Sequence, residues 1–204
     1  MGQHRSKLLI ATNNPGKLAE LRQSMSDLPL ELLSLSDIGC SVEIEETGAT
    51  FCENAFLKAS GYARLANIFA LADDSGLEVE ALGGRPGVLS ARYGGTHVGF
   101  DRKMSMLLGE LERSGDVDRR AQFVCSIAIA DASGEIVHSA EGICNGTIAA
   151  SPRGSNGFGY DPIFIPDGFE KTFGELDDAV KRKISHRARA FCEIMPFLRD
   201  FIGI

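Results

Sequence analysis

Apolar positions along this chain fall into short continuous or alternating runs and longer stripes at helical spacing, and their order predicts a mixture of strands and helices. Residues 7–12 (KLLIAT) read as a buried strand, closed by a turn at Asn13-Asn14-Pro15-Gly16. Lys17 then opens a helix whose apolar positions Leu18, Leu21 and Met25 keep helical spacing. Thr50 followed three residues later by Glu53 matches a capping box, which predicts a second helix over residues 51–65. Residues 68–72 read as a strand that stops at Asp73-Asp74-Ser75-Gly76, and a glycine-rich loop covers 83–95. A helix is expected over 101–112. Two β-rich runs, 123–130 and 136–143, flank Asp131-Ala132-Ser133-Gly134, a hairpin signal. A second glycine-rich loop, 151–159, leads into the apolar run 162–165, and Phe191, Ile194, Leu198 and Phe201 share one face of a final helix. Strands mixed with helices around a central hairpin indicate an α/β or α+β chain with a mixed sheet.

Composition narrows the class. The chain has 204 residues, 44% of them hydrophobic and 24% charged, which suits one globular domain with a real core and excludes a low-complexity protein. No apolar run approaches the roughly 18–20 residues that span a bilayer, so no membrane partner is expected. The start Met1-Gly2-Gln3-His4-Arg5-Ser6 carries no apolar signal core. It formally fits an N-myristoylation pattern, and the plainer reading takes residues 1–6 as a short polar leader. A net charge of −7 argues against a nucleic-acid partner, while leaving room for a free nucleotide held by a few focused cations. Five scattered cysteines without a Cys-x-x-Cys pair read as reduced, mostly buried thiols of a cytoplasmic protein.

Four segments could carry chemistry, and each also has an ordinary structural reading. Thr12-Asn13-Asn14-Pro15-Gly16-Lys17 is a strand-to-helix junction, where backbone N–H groups, the helix dipole and the Lys17 charge favour an anion. Without the Walker spacing it also fits a plain capped turn. Asp73-Asp74 pairs two carboxylates that repel unless compensated, a donor set suited to Mg²⁺ or else a solvated acidic turn. Glu45-Glu46 could add a carboxylate or be a solvated pair. Gly154-Ser155-Asn156-Gly157-Phe158-Gly159-Tyr160-Asp161 offers rings for stacking on a flat base and an acceptor for N–H groups, or is a tight turn with a core anchor. Lys181-Arg182-Lys183-Ile184-Ser185-His186-Arg187 concentrates basic donors in an acidic chain, or forms a solvated helix face. Lys58 on its own reads as a surface lysine. Together the four suggest a pocket for a phosphorylated, ring-bearing ligand with a divalent ion.

In sequence order the chain also carries Thr12-x-Asn14-x-x-Lys17, Glu45-Glu46-Thr47-Gly48, Phe51-x-Glu53-Asn54-Ala55, Ala72-Asp73-Asp74-Ser75-Gly76-Leu77, Gly83-Gly84-x-Pro86-Gly87, Ser90-Ala91-Arg92-Tyr93, Gly157-Phe158-Gly159-Tyr160-Asp161-Pro162 and Ser185-His186-Arg187. This series resembles the non-canonical purine NTP pyrophosphatase family, also called inosine triphosphate or dITP/XTP pyrophosphatases, over about residues 8–201. The resemblance implies an α/β fold with an elongated mixed sheet, flanked by helices in two lobes with the active cleft between them. It further implies one nucleoside-triphosphate pyrophosphatase domain over 1–204, working as a homodimer. The implied reaction is Mg²⁺-dependent hydrolysis of dITP, ITP or XTP to the monophosphate and pyrophosphate, which clears deaminated purines from the nucleotide pool.

Carried over position by position, the resemblance makes Asp74 the proton acceptor and a metal ligand. Glu46 is the second metal carboxylate, chosen over Glu45 by its spacing of twelve residues to Lys58, with Asp73 and Glu45 as further candidates. Thr12, Asn13, Asn14, Pro15, Gly16, Lys17, Lys58 and Ser75 match phosphate- and substrate-contacting positions. Phe158, Gly159, Tyr160, Asp161, Lys181, His186 and Arg187 match the nucleotide- and base-binding set. Asn13 stands where many members have glycine. The rival readings are a Maf-like pyrophosphatase acting on other nucleotides and a non-catalytic nucleotide sensor.

Overall fold

Side-chain alternation along the first strand decides how the early chain packs. In the computed structural model, which describes residues 6–204, β1 (Ser6–Ile10) sends Leu8 and Ile10 into one core and Leu9, with the following Ala11, into another. Leu8 and Ile10 join Leu21 of α1 (Pro15–Ser24), Met25, and Ile194 and Leu198 of α5 (His186–Ile202). Leu9 and Ala11 meet α2 (Phe51–Ala66) through a layer built largely of alanine: Ala55, Ala59, Ala63, Ala70, Ala72, Ala128 and Ala130. Small side chains on both surfaces let the α2 backbone approach the strands closely. Ala59 is fully buried, so Ala59→Leu should overpack this layer and cost about 1–3 kcal/mol. Urea unfolding would show a lower midpoint at unchanged slope, and a wild-type midpoint would mean that the layer has slack.

The six-stranded sheet has the order β2-β1-β3-β4-β5-β6. β2 (Leu30–Ser34) and β3 (Ala70–Val79) run parallel to β1, whereas β6 (Phe164–Pro166) is antiparallel to β5 (Ile136–Ile148), so the sheet is mixed as expected. β4 (Arg120–Ala130) reaches β5 through the turn at Asp131–Glu135, closed by the Asp131 N–H on the Glu135 carbonyl at 2.9 Å.

The chain divides into two compact units. One runs from the start of the described residues to Asp74 and includes Cys125–Glu141 and Arg189–Ile204. The other comprises Ser75–Val124 and Gly142–Ala188. The second unit has its own core, in which Met104, Leu107 and Leu111 line the inner stripe of α3 (Phe100–Ser114) against Leu77, Val79 and Ile148. Its ring cluster pairs Phe123 with Phe164 at 4.5 Å and Phe164 with Phe173 at 5.5 Å.

Several elements depart from the sequence reading for local reasons. Residues 1–5 of the expected leader, with the myristoylation pattern's glycine, lie outside the described residues, and Ser6 already belongs to β1. β2, spelled Leu-Glu-Leu-Leu-Ser, carries no strand signal because leucine and glutamate favour helix; pairing with β1 overrides that preference. β3 does not stop at the Asp73-Asp74 pair but continues to Val79, because buried ion pairs compensate both carboxylates. β5 runs past residue 143 to Ile148 because Gly146 lets β6 pair there: a Cβ on it would lie 2.2 Å from the Ile165 carbonyl oxygen. The cysteines are all thiols, but only Cys125 and Cys144 are buried, Cys192 being exposed. Among the described residues no helix is long and apolar enough to cross a membrane.

Candidate active site

The junction at residues 12–17 folds as a capped helix start. Asn14 is the N-cap of α1 and its Oδ1 accepts the N–H groups of Gly16 (2.9 Å) and Lys17 (3.1 Å), while Pro15 occupies the first helical position. Thr12 Oγ1 accepts the Asn14 N–H at 3.2 Å. Two of the N–H groups that the sequence offered to an anion are therefore taken by the Asn14 side chain, and the helix begins at Pro15, two residues before the expected Lys17. Asn13 is exposed.

Asp73 and Asp74 follow one another in a strand, so their side chains leave opposite faces. Asp73, fully buried, pairs with Lys17 of α1 at 3.0 Å, and the Cys125 thiol lies 3.9 Å from the same oxygen. Asp74, on the other face, meets α2: its Oδ1 accepts from Lys58 Nζ at 3.1 Å and its Oδ2 from Asn54 Nδ2 at 3.1 Å. Lys58 Nζ also reaches Glu46 Oε1 at 2.6 Å. One ammonium thus bridges Glu46 and Asp74, while Glu45 is exposed and Asp73 belongs to the Lys17 pair. Neither the solvated acidic turn nor the surface lysine describes these residues.

The electrostatics follow from burial. Desolvation raises the Asp74 pKa above the usual carboxylate value, with Lys58 and Lys17 opposing it and Glu46 reinforcing it. Burial works against the charge on Lys58, but the carboxylates of Asp74, Asp73 and Glu46 outweigh it and hold the ammonium above its ordinary pKa. The pair Glu46 and Asp74 is a hard-oxygen donor set already converging on one cation. That chemistry fits Mg²⁺, which typically takes one or two carboxylates and fills its remaining positions with water and phosphate oxygens.

In the second unit, Asp161 and Lys181 form a buried pair at 2.7 Å. Asp161 Oδ2 also accepts the Phe158 N–H at 2.8 Å, which fixes the glycine-rich loop around this ion pair. Lys181 Nζ lies 4.5 Å and the Arg187 guanidinium 5.8 Å from the Phe158 ring centroid, so two cations attend one partly buried ring. Gly157 has φ +72°, and a Cβ there would sit 2.0 Å from Asp161 Oδ2 and 3.2 Å from Lys181 Nζ. Arg187 donates to Ser75 Oγ at 2.9 Å, and the His186 ring stacks on Phe123 at 4.7 Å.

Two expectations for this unit need correction. Tyr160 offers no ring for stacking: it is buried edge-on to Phe100 at 5.3 Å, and its hydroxyl donates to the Ser90 carbonyl at 3.0 Å. Burial pushes its pKa far upward, so it stays a neutral donor. The run 181–187 is no solvated face either. α4 (Asp178–Ile184) turns Arg182 and Lys183 outward, whereas Lys181, Ser185, His186 and Arg187 are buried. Gly159 has φ +70°, and a Cβ there would lie 3.7 Å from the Phe100 ring.

Sequence reasoning gave no role to Asn54, although a poor helix former inside a capped helix was an available signal. It also missed buried Lys103, which donates to the Ala91 carbonyl and lies 4.8 Å from the Phe100 ring centroid. With Tyr160 on the neighbouring Ser90 carbonyl, Lys103 anchors the Ser90-Ala91-Arg92-Tyr93 segment.

Comparison with known proteins finds relatives over nearly the whole chain. The model of the Ham1 family matches residues 8–197. A dITP/XTP pyrophosphatase of Synechocystis sp. is 49% identical over 189 residues, covering 92% of this chain and 93% of that one. The Bacillus subtilis dITP/XTP pyrophosphatase is 45% identical over 93% and 96% of the two chains. A solved HAM1 protein from Coxiella burnetii superposes with a TM-score of 0.88 at 38% identity, covering 96% of this chain and 99% of that chain.

Proposed function

The chain belongs to the Ham1 family, and from that premise we infer that it hydrolyses the non-canonical purine nucleoside triphosphates dITP, ITP and XTP, releasing pyrophosphate and the monophosphate. The observation that carries the reading is the convergence of Glu46 and Asp74 on the single Lys58 ammonium. A pyrophosphatase needs a cation-binding carboxylate pair and lysines for phosphate oxygens; the first unit holds the pair on Lys58 and a second lysine, Lys17, on the adjacent Asp73.

Hydrolysis of the α–β anhydride adds the oxygen of water to phosphorus, breaks the bridging P–O bond and expels pyrophosphate with the bonding pair. When bound by Glu46 and Asp74, Mg²⁺ would neutralise phosphate charge and acidify water. Asp74, its pKa raised by burial, accepts the proton of the attacking water. Lys17 and Lys58 hold phosphate oxygens, with Thr12, Asn13, Asn14, Pro15, Gly16 and Ser75 shaping the phosphate-binding surroundings. In the second unit Phe158 and Gly159 meet the purine, and Lys181, His186 and Arg187 donate to it. Asp161 and Tyr160 support that set from behind, as their burial suggests.

Inosine and xanthosine present a carbonyl at the purine 6-position where adenosine presents an amine. Donors matched to a carbonyl are left unpaired against an amine, a mismatch that can discriminate by up to about 10⁴–10⁵-fold. Guanine shares the 6-carbonyl, so rejection of GTP needs a separate element near its 2-amino group. In this reading the chain works as one catalytic domain, as a homodimer, in the cytoplasm; its thiols agree with a reducing compartment.

The test is pyrophosphate release from ITP, XTP, dITP, ATP, GTP and dTTP, each with and without Mg²⁺. Release that needs Mg²⁺ and is confined to inosine and xanthosine nucleotides is expected. Release from dTTP would point instead to a Maf-like enzyme, tight ITP binding without release to a sensor, and equal release from all six would end the case for base selectivity.

A further inference from the structure

Glu46 lies in an irregular segment before α2, and Asp74 lies on a strand. Asn54, fully buried in α2, links the two regions. Its Nδ2 donates to Asp74 Oδ2 at 3.1 Å, and its Oδ1 accepts the Gly48 N–H at 2.8 Å, two residues beyond Glu46. The orientation of this amide is forced. A backbone N–H can only donate, so the amide oxygen must face Gly48 and the NH₂ must face Asp74. Asp74 is thereby held at both oxygens, Oδ1 by Lys58 and Oδ2 by Asn54. Gly48 is fitted to the contact: a Cβ on it would lie 2.8 Å from Asn54 Oδ1 and 2.6 Å from Glu53 Cβ.

We propose that Asn54 is a positioning residue for the carboxylate pair. It sets the plane of the Asp74 carboxylate and ties the segment presenting Glu46 to the helix that carries Lys58. The inference rests on the pyrophosphatase reading above. Groups that orient metal-binding carboxylates typically change metal affinity or activity by about 10–100-fold when removed.

Asn54→Ala removes both bonds. Gly48→Ala disturbs the same contact from the backbone side while leaving the Asn54 side chain in place, a second route should the first variant fold poorly. Each would be followed by kcat and KM for ITP, by Tm, and by calorimetric titration of Mg²⁺ into the nucleotide-free protein. Well below Tm, we expect kcat to fall about 10–100-fold with KM little changed, and Mg²⁺ binding to weaken in the same order, Gly48→Ala following Asn54→Ala. A lowered Tm with wild-type kcat and wild-type Mg²⁺ affinity would reduce Asn54 to a packing residue and overturn the proposal. If the wild-type chain released no pyrophosphate from ITP, the functional reading would fall. The Mg²⁺ titration would then decide the Asn54 proposal, unchanged affinity in both variants overturning it.

Discussion

Asp74→Asn should lower kcat for ITP by about 10³-fold or more while leaving the fold intact and its melting temperature only modestly lower. The loss follows from what the side chain does: it shares the Lys58 ammonium with Glu46, receives Asn54, and is the carboxylate assigned to the water proton. The stability half follows from the sign of its pKa shift. Burial holds the Asp74 pKa above its ordinary value, so the native protein takes up a proton more readily than the unfolded chain does. Stability from this group therefore declines as pH rises from the unfolded value through the raised one, and above both the charged carboxylate is a net cost. A neutral isostere removes that cost, but it leaves Lys58 with Glu46 alone and turns an amide N–H toward Lys58 or Asn54, so a modest fall in Tm remains. The two readouts, kcat and Tm, should separate cleanly. Near-normal Mg²⁺-supported turnover would remove Asp74 from the reaction, and a large drop in Tm would mean that its ion pair outweighs its desolvation.

Gly157→Ala should reduce kcat/KM for ITP by about 10²-fold, the loss that a displacement of roughly 1 Å in a positioning group can produce. The backbone at Gly157 is left-handed, costing an L-residue roughly 1–2 kcal/mol, and its new methyl would fall 2.0 Å from Asp161 Oδ2. That oxygen accepts from both the Phe158 N–H and Lys181, so it cannot move without shifting the lysine over the Phe158 ring. The effect should appear in KM more than in kcat, because these residues are assigned to the nucleotide rather than to the bond broken. Steady-state kinetics on ITP beside Asp74→Asn would display the contrast, and an unchanged KM would take the Asp161–Lys181 pair out of substrate binding.

The chain's own text gave good access to elements whose signals are local. Thr50 and Glu53 announced α2, and both bonds of the capping box are present. The turn after β4 and the apolar face of α5 were equally legible. What could not be read depended on partners distant in sequence. Asp73-Asp74 resembled a strand terminus because the lysines that neutralise the pair, Lys17 and Lys58, come from two different helices. Tyr160 resembled a stacking platform until the Ser90 carbonyl, 70 residues away, accounted for its hydroxyl. For the candidate site, residue types and order named the participants, whereas pairing, burial and the role of Asn54 came only from three-dimensional proximity.

The interleaving of the two units along the chain bears on how the protein is made. The first unit draws on three separate stretches, the last being Arg189–Ile204. That stretch supplies Phe191, Ile194 and Leu198 to the core lined by Leu8 and Ile10. During synthesis, therefore, β1 cannot finish its core until α5 has emerged. Until then the nascent chain carries Leu8, Ile10 and Leu71 without that cover, so truncation within Arg189–Ile204 should uncover the core built around the first strand.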